Sequence, residues 1–252
     1  MIIQFLLPAY NEAENIEKQT LKLVSLADYL KLDYMIHIVN DGSQDETPQI
    51  VKNLQDKNNK IKLYNHKKNQ GPGKAFDTAF REIFQIANDS DAIISMDADN
   101  THSEGTIKMM VARLKDGYEM VIASVFAPGG MMIGLPFIRY MLTLSCNFLY
   151  RFLFPITGIK EYTGFYRGYQ VGALKRAFKL YEENKEGLIT VNGFSSAAEL
   201  LIKLRRIPLF MVEVPMLVRY DQKGGKSKMR IFATIFEHLR IIFHNLFRRK
   251  VF

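Results

Sequence analysis

The chain has 252 residues, with 34 Lys and Arg against 26 Asp and Glu, a formal charge of +8, and 48% hydrophobic residues. These values are ordinary for a globular protein and exclude extended disorder and collagen-like repeats; the length suits one large α/β domain or a domain with an appendage. The lone cysteine, Cys146, excludes an internal disulfide and a Cys-based zinc site, so a reducing compartment is expected.

The charge is not spread evenly. From residue 219 to the end there are nine Lys and Arg against Asp221 and Glu237, a net +7, which leaves only +1 for everything before. Charge gathered in this way points to an acidic partner: a phosphate-bearing substrate, an anionic membrane or nucleic acid. The stretch is apolar between its charges and carries no RNA-binding motif, which argues against nucleic acid. No basic segment followed by an apolar run opens the chain, which argues against a secretory signal.

Residues 2–7 form a short apolar run. Residues 12–30 place Ile16, Leu23, Ala27 and Leu30 at helical spacing. Residues 34–39 are a second apolar run, stopped by Asn40-Asp41-Gly42-Ser43. A helix then starts near Asp45 with Pro48 in its first turn. Residues 61–64 read as a third strand and 75–87 as a helix; strands at 92–96 and 120–124 flank a helix at 106–114. Apolar strands alternating with amphipathic helices predict a mostly parallel sheet flanked by helices, with ligands at the carboxyl ends of the strands.

Beyond residue 126 the pattern changes. Residues 131–155 are rich in Met, Leu and Phe but are interrupted by Arg139 and Arg151. The uncharged stretch 120–138 contains two prolines and three glycines. A membrane-spanning helix is therefore rejected, and one lying in the interface or folded onto the domain is expected. At 230–250, Ile231, Ile235, Leu239, Ile242, Phe243 and Leu246 recur at helical spacing before Arg248-Arg249-Lys250. Two readings stand: a packing helix with a favourably charged end, and an amphipathic helix on a membrane surface. The domain division follows as 1–228 for the catalytic unit and 229–252 for the basic amphipathic helix.

Four polar turns fall at strand ends. Asp97-Ala98-Asp99 follows the strand at 92–96, and paired carboxylates suit a hard divalent cation such as Mg2+ or Mn2+ held jointly with substrate phosphates. A lone pair of acids also occurs on ordinary turns; its position and neighbours give it meaning. Pro8-Ala9-Tyr10-Asn11-Glu12 can set a ring and two polar groups beside a base or ribose, or be a turn with Asn11 as cap. Asp41 can accept from a nucleobase. Asn69-Gln70-Gly71-Pro72-Gly73 allows close backbone approach before a helix, although its spacing fits neither a Walker loop nor G-x-G-x-x-G.

Together these turns resemble the family-two glycosyltransferases with a GT-A type nucleotide-sugar-binding fold. The later set narrows the resemblance: Gly129-Gly130, Arg139, Ser145, Asn147, Glu161-Tyr162-Thr163-Gly164-Phe165, Gly193-Phe194 with Glu199, Glu213-Val214-Pro215 with Arg219, and Gly225-Lys226-Ser227-Lys228-Met229. This order is similar to the dolichyl-phosphate mannosyltransferase branch and covers about residues 2–235.

The resemblance implies that Pro8, Tyr10, Glu12, Asp41 and Ala98 line the nucleoside site, with Gly71 and Gly73 shaping its wall. Asp97 and Asp99 would hold Mg2+ or Mn2+ and the donor diphosphate. Arg139, Arg219, Lys226, Ser227 and Lys228 would receive the acceptor phosphate. Departures are Asn100 and Thr101 for Leu and Gln, Val125 for Arg, Glu161 for Asp, and Gly164-Phe165 for Ser-Gly.

The implied reaction is inverting transfer from a GDP- or UDP-sugar to a polyprenyl (dolichyl or undecaprenyl) phosphate. It implies a peripheral enzyme at the cytoplasmic face of an anionic membrane, alone or with a membrane partner subunit. A hydroxyl acceptor would require a base, Glu199 first and Glu161 second. The alternatives are a family-two transferase acting on a glycan and a catalytically silent membrane-associated scaffold.

Overall fold

A computed structural model describes residues 1–99, 104–222 and 231–246. Its first half alternates β1 (Ile3–Ala9), α1 (Ile16–Tyr29), β2 (Tyr34–Asn40), α2 (Thr47–Lys57), β3 (Ile61–Asn65), α3 (Pro72–Ile86), β4 (Ala92–Ser95), α4 (Glu104–Lys115) and β5 (Met120–Ser124). There follow β6 (Met131–Ile133), α5 (Phe137–Leu153), β7 (Arg167–Gln170), α6 (Val171–Glu183), α7 (Ser196–Leu204), β8 (Met211–Pro215), β9 (Leu217–Arg219) and α8 (Ile231–Leu246).

The main sheet has the order β3-β2-β1-β4-β7-β5-β8. All neighbours in it are parallel except β7, which runs antiparallel between β4 and β5. Strands β6 and β9 form a separate parallel pair. The sheet is thus mostly parallel, as the alternation predicted. The antiparallel insertion was not read from the sequence, because Arg-Gly-Tyr-Gln carries no apolar run.

Both faces of the sheet are covered. On one, Phe5 and Leu7 join α1, α2 and α4; on the other, Leu6 joins α3, α6, α7 and residues of α5 and α8. Period-two alternation along β1 produces this division. Each fully buried Leu or Phe contributes roughly 1.5–3 kcal/mol relative to exposure.

Helix α8 is part of this packing: Ile241 and Ile242 lie in the core, while Phe236, Leu239, Phe243 and Leu246 are exposed. Its outer side mixes these apolar residues with the exposed Arg240 and His244. Helix α5 is similar, exposing Phe137, Ile138, Phe148 and Phe152. No helix among the described residues is long and apolar enough to cross a membrane.

Candidate active site

A cavity of about 910 Å3 opens over the carboxyl ends of β1, β2 and β4. Pro8, Tyr10 and Glu12 come from the end of β1, Asp41 from the end of β2, and Asp97, Ala98 and Asp99 from the turn after β4. The parallel sheet brings these distant segments together, since neighbouring strands in register end at one edge.

The first two turns hold each other. Asn11 takes a left-handed conformation (φ 52°), tolerated by its short polar side chain. Its backbone N–H donates to Ser43 Oγ (2.9 Å), and its Oδ1 accepts from Gln44 N–H (2.8 Å). The Glu12 N–H donates to Thr47 Oγ1 (2.8 Å). Asn11 is thus a link between turns, not a helix cap.

Asp41 is buried and staples β2 to the following loop. Its Oδ1 accepts from His66 Nδ1 (2.6 Å) and Gln70 N–H (2.9 Å), and its Oδ2 from Gly71 N–H (2.7 Å). Before any ligand arrives, this carboxylate already has three internal donors. Gly71 (φ 92°) and Gly73 sit against the backbone at 191–192, where an added Cβ would overlap the carbonyls of Asn192 and Val191 respectively. Their described role is this close packing of the wall; neither lines the cavity.

Opposite stand Arg139 of α5, Glu161 and Tyr220. Burial raises the Tyr220 phenol to about 12, with Asp97, Asp99 and Glu161 adding to the shift and Arg139 opposing it. One ring thus feels four charged groups from three segments, which is tertiary convergence that no spacing reveals. Glu161 lies in a turn built by others. Glu213 Oε1 accepts the backbone N–H groups of Lys160 (2.5 Å) and Glu161 (2.6 Å), and Asn147 Oδ1 accepts Tyr162 N–H (2.7 Å).

Glu161 Oε1 accepts from the Thr163 N–H and hydroxyl and from Gly164 N–H. Burial nevertheless pushes its carboxyl up to about 7; the Thr163 bonds and Arg167 pull it down, and Glu213 adds to the rise. It is a buried acid at the cavity wall that can hold or release a proton near neutrality.

From this polar floor the cavity continues between α5 and α8, past Leu142, Cys146, Leu149, Ile235, Leu239 and Ile242. Tyr150 and His238 join the two helices by a 2.8 Å hydrogen bond. Burial lowers His238 to about 4, so it is neutral at ordinary pH. Cys146 is pushed up to about 12 by burial and by Glu161, so its thiol is unreactive packing.

Two expected residues fall elsewhere. Glu199 is buried outside the cavity, where it pairs with Lys203 (2.6 Å) and accepts from the Thr190 hydroxyl and the N–H groups of Thr190 and Val191. It is a structural ion pair that braces the 190–191 segment, which corrects its assignment as the first base. Arg219 makes a bidentate pair with Asp221 (2.8 and 2.7 Å) and does not line the cavity. Of the expected acceptor-phosphate residues, Arg139 alone lines it among those described; Lys226, Ser227 and Lys228 lie outside the described residues.

The donor set fits a hard cation. Asp97 and Asp99 offer carboxylate oxygens at the cavity wall, and Mg2+ commonly takes one or two carboxylates with waters and substrate phosphates completing its shell. No group of three or more His, Cys, Asp or Glu able to hold a metal occurs among the described residues.

Comparison with known proteins gives this geometry a class. Over 99% of this chain and 80% of the other, the fold matches a crystal structure of glucosyl-3-phosphoglycerate synthase from Mycobacterium tuberculosis in complex with Mn2+, uridine diphosphate and phosphoglyceric acid (TM-score 0.67, 15% identity). The fold is therefore the α/β GT-A type, with a mostly parallel sheet and a polar site at its carboxyl edge.

The sequence model of glycosyl transferase family 2 matches residues 5–178, and the chain belongs to that family. It is 29% identical over 246 residues to a dolichol-phosphate mannosyltransferase of Pyrococcus furiosus, covering 96% of this chain and 63% of the relative. It is 26% identical over 229 residues to a polyprenol monophosphomannose synthase of Mycolicibacterium smegmatis, covering 89% and 79%. These relatives set its likeness in the polyprenyl-phosphate branch, although the chain spans less than two-thirds of the first one's length.

Proposed function

We propose that the chain transfers a sugar from a GDP- or UDP-sugar to a polyprenyl phosphate, with inversion at the anomeric carbon, at the cytoplasmic face of a membrane. The observation that carries this reading is the single cavity joining the Asp97–Asp99 edge to an apolar arm between α5 and α8. A charged nucleotide fits the first part, and a phosphate with a hydrocarbon tail fits the second.

In the reaction an acceptor phosphate oxygen bonds to the sugar C1 as the C1–O bond to the nucleoside diphosphate breaks. Asp97 and Asp99 are the residues that would hold Mg2+ or Mn2+, which supplies neutralisation of the leaving diphosphate. Pro8, Tyr10, Glu12, Asp41 and Ala98 orient the nucleoside. Arg139 directs the acceptor phosphate, with Lys226, Ser227 and Lys228 as further contacts. A phosphate monoester carries charge near neutrality, with its second pKa at about 6, and needs no base. The enclosure of Glu199 by Lys203 and the 190–191 backbone agrees with that chemistry.

A second reading, transfer to a hydroxyl, has one observation in its favour. Glu161 is poised near neutrality at the cavity wall and could take the hydroxyl proton. The deciding assay offers several GDP- and UDP-sugars, with Mg2+ or Mn2+, to a short polyprenyl phosphate and to an uncharged glycan. Product on the polyprenyl phosphate alone is expected. Product on the glycan alone selects the second reading, and no transfer from any donor supports a silent scaffold.

A further inference from the structure

A second cavity of about 350 Å3 lies on a different side of α5. Phe148, Arg151 and Phe152, spaced i, i+3, i+4, share one helix face, whereas Arg139, Thr143 and Cys146 share another that borders the active-site cavity. Between the two cavities Tyr150 and Phe154 are buried. Lys160 and Tyr162 complete the second cavity. Tyr162 donates its hydroxyl to the Phe154 carbonyl (2.8 Å), which fixes the ring as a wall.

The charged side chains that line this cavity, Arg151 and Lys160, are both positive. Some cations of the molecule have a carboxylate partner, such as Arg81 with Glu182 and Arg176 with Glu119. Arg151 and Lys160 pair with no carboxylate among the described residues; Glu213 engages only the backbone N–H of Lys160. Arg205 adds a third positive charge, since it and Arg151 both act on the Tyr162 phenol, which burial raises above its ordinary range. Arg205 lies over the Phe154 ring at 5.4 Å and is likewise without a carboxylate partner. At the rim Phe148 and Phe152 are 70% and 75% exposed.

Unpaired cations repel each other, and exposed phenylalanines cost hydration; an anion beneath an apolar phase relieves both. An anionic bilayer supplies that combination, whereas an acidic protein surface would leave the phenylalanines unsatisfied. We propose that the cavity formed by Phe148, Arg151, Phe152, Lys160 and Tyr162 is a headgroup site for an anionic phospholipid, separate from the site of transfer. It takes the phosphate between Arg151 and Lys160 while Phe148 and Phe152 enter the acyl boundary. The inference rests on the membrane placement proposed above and not on the transfer chemistry.

The test is co-sedimentation of the full chain with vesicles of phosphatidylcholine alone and of phosphatidylcholine with roughly one-third phosphatidylglycerol. The wild type should prefer the anionic vesicles. Joint Arg151→Glu and Lys160→Glu exchange should weaken anionic-vesicle binding by at least about 10-fold and leave binding to neutral vesicles unchanged. Joint Phe148→Ser and Phe152→Ser exchange should weaken binding to both. Equal preference for anionic vesicles after charge reversal overturns the proposal. So does loss of wild-type preference on adding millimolar inorganic phosphate at constant ionic strength, which would assign the site to free phosphate. Thermal melts and transfer to a short water-soluble acceptor check that the variants fold. A chain that transfers nothing yet binds in this pattern refutes the reaction and leaves the headgroup site standing.

Discussion

The two sides of the cavity are built by opposite means. Around β1 and β2, polar side chains hold the loops: Asp41 accepts three donors, Asn11 spans two turns, and Asn40 Nδ2 donates to Asn65 Oδ1 at 2.8 Å. Gly71 and Gly73 let the backbones meet without a side chain between them. Around α5 and α8, a few polar latches, Tyr150 with His238, Ser195 with Glu237 and Arg206 with Asn245, hold helices that expose many large apolar side chains. The first side presents fixed dipoles suited to a small hydrophilic ligand. The second leaves apolar area uncovered, which a soluble molecule rarely does on this scale without an apolar partner.

The turn 160–164 stands between the two and shares both characters. Its backbone is fixed by Glu213 and Asn147, yet Glu161 is a carboxyl buried beside another carboxylate. That placement makes it the titratable point in a site otherwise held by fixed charges.

The comparison breaks most readily at the metal edge. Replacing Asp97 or Asp99 with Asn should lower transfer by about 10³-fold while thermal melts stay near wild type, because the charge acts on the leaving diphosphate. Undiminished turnover would remove the carboxylate pair from the reaction.

A smaller effect separates structure from catalysis at Glu199. Glu199→Gln leaves Lys203 buried beside an uncharged partner and should cost about 3 kcal/mol of folding stability, read as a lowered Tm or a lower denaturant midpoint. Turnover per folded molecule should change little. A rate loss with an unchanged melt would restore Glu199 as a base.

The smallest effect is in the pH dependence of stability. Burial holds Glu161 at about 7 in the folded chain against an ordinary 4.5. Between these values the unfolded chain ionises and the folded chain does not. The contribution is complete below about pH 4.5 and is lost as pH rises to about 7, by at most about 3 kcal/mol. Melts of Glu161→Gln from pH 4 to 8 should lack this fall. Coincident curves for the two proteins would show that folding leaves the Glu161 carboxyl at its ordinary value.

Much of the donor side was legible because its signals are local. An apolar run followed by a polar turn marks each parallel strand end; β5 agrees at both bounds and β2 within one residue. Tyr10, Glu12, Asp41, Asp97 and Asp99 were found in this way, and all five line the cavity. The acceptor side was less legible. Strand β7 is four residues long and contains a fully buried Arg167, whose guanidinium donates to the carbonyls of Ala197 and Tyr162 (2.7 and 2.8 Å). No periodicity announces such a strand. Glu199 followed a motif and had the expected type, but Lys203 one turn later was the local sign of an internal pair.

The sequence by itself determined the alternation of strands and helices, the turns at their carboxyl ends and the family, because these depend on hydrophobic period and on residue types at short spacing. It also concentrated nearly all the net charge from residue 219 onward. The tertiary structure decided which acid faces the cavity and which is enclosed, that Arg219 spends its charge on Asp221, and that Arg151, Lys160 and Arg205 gather around Tyr162. The physical reason is range: periodicity acts over a few residues, whereas burial and electrostatic pairing are set by segments that meet only when the sheet is complete.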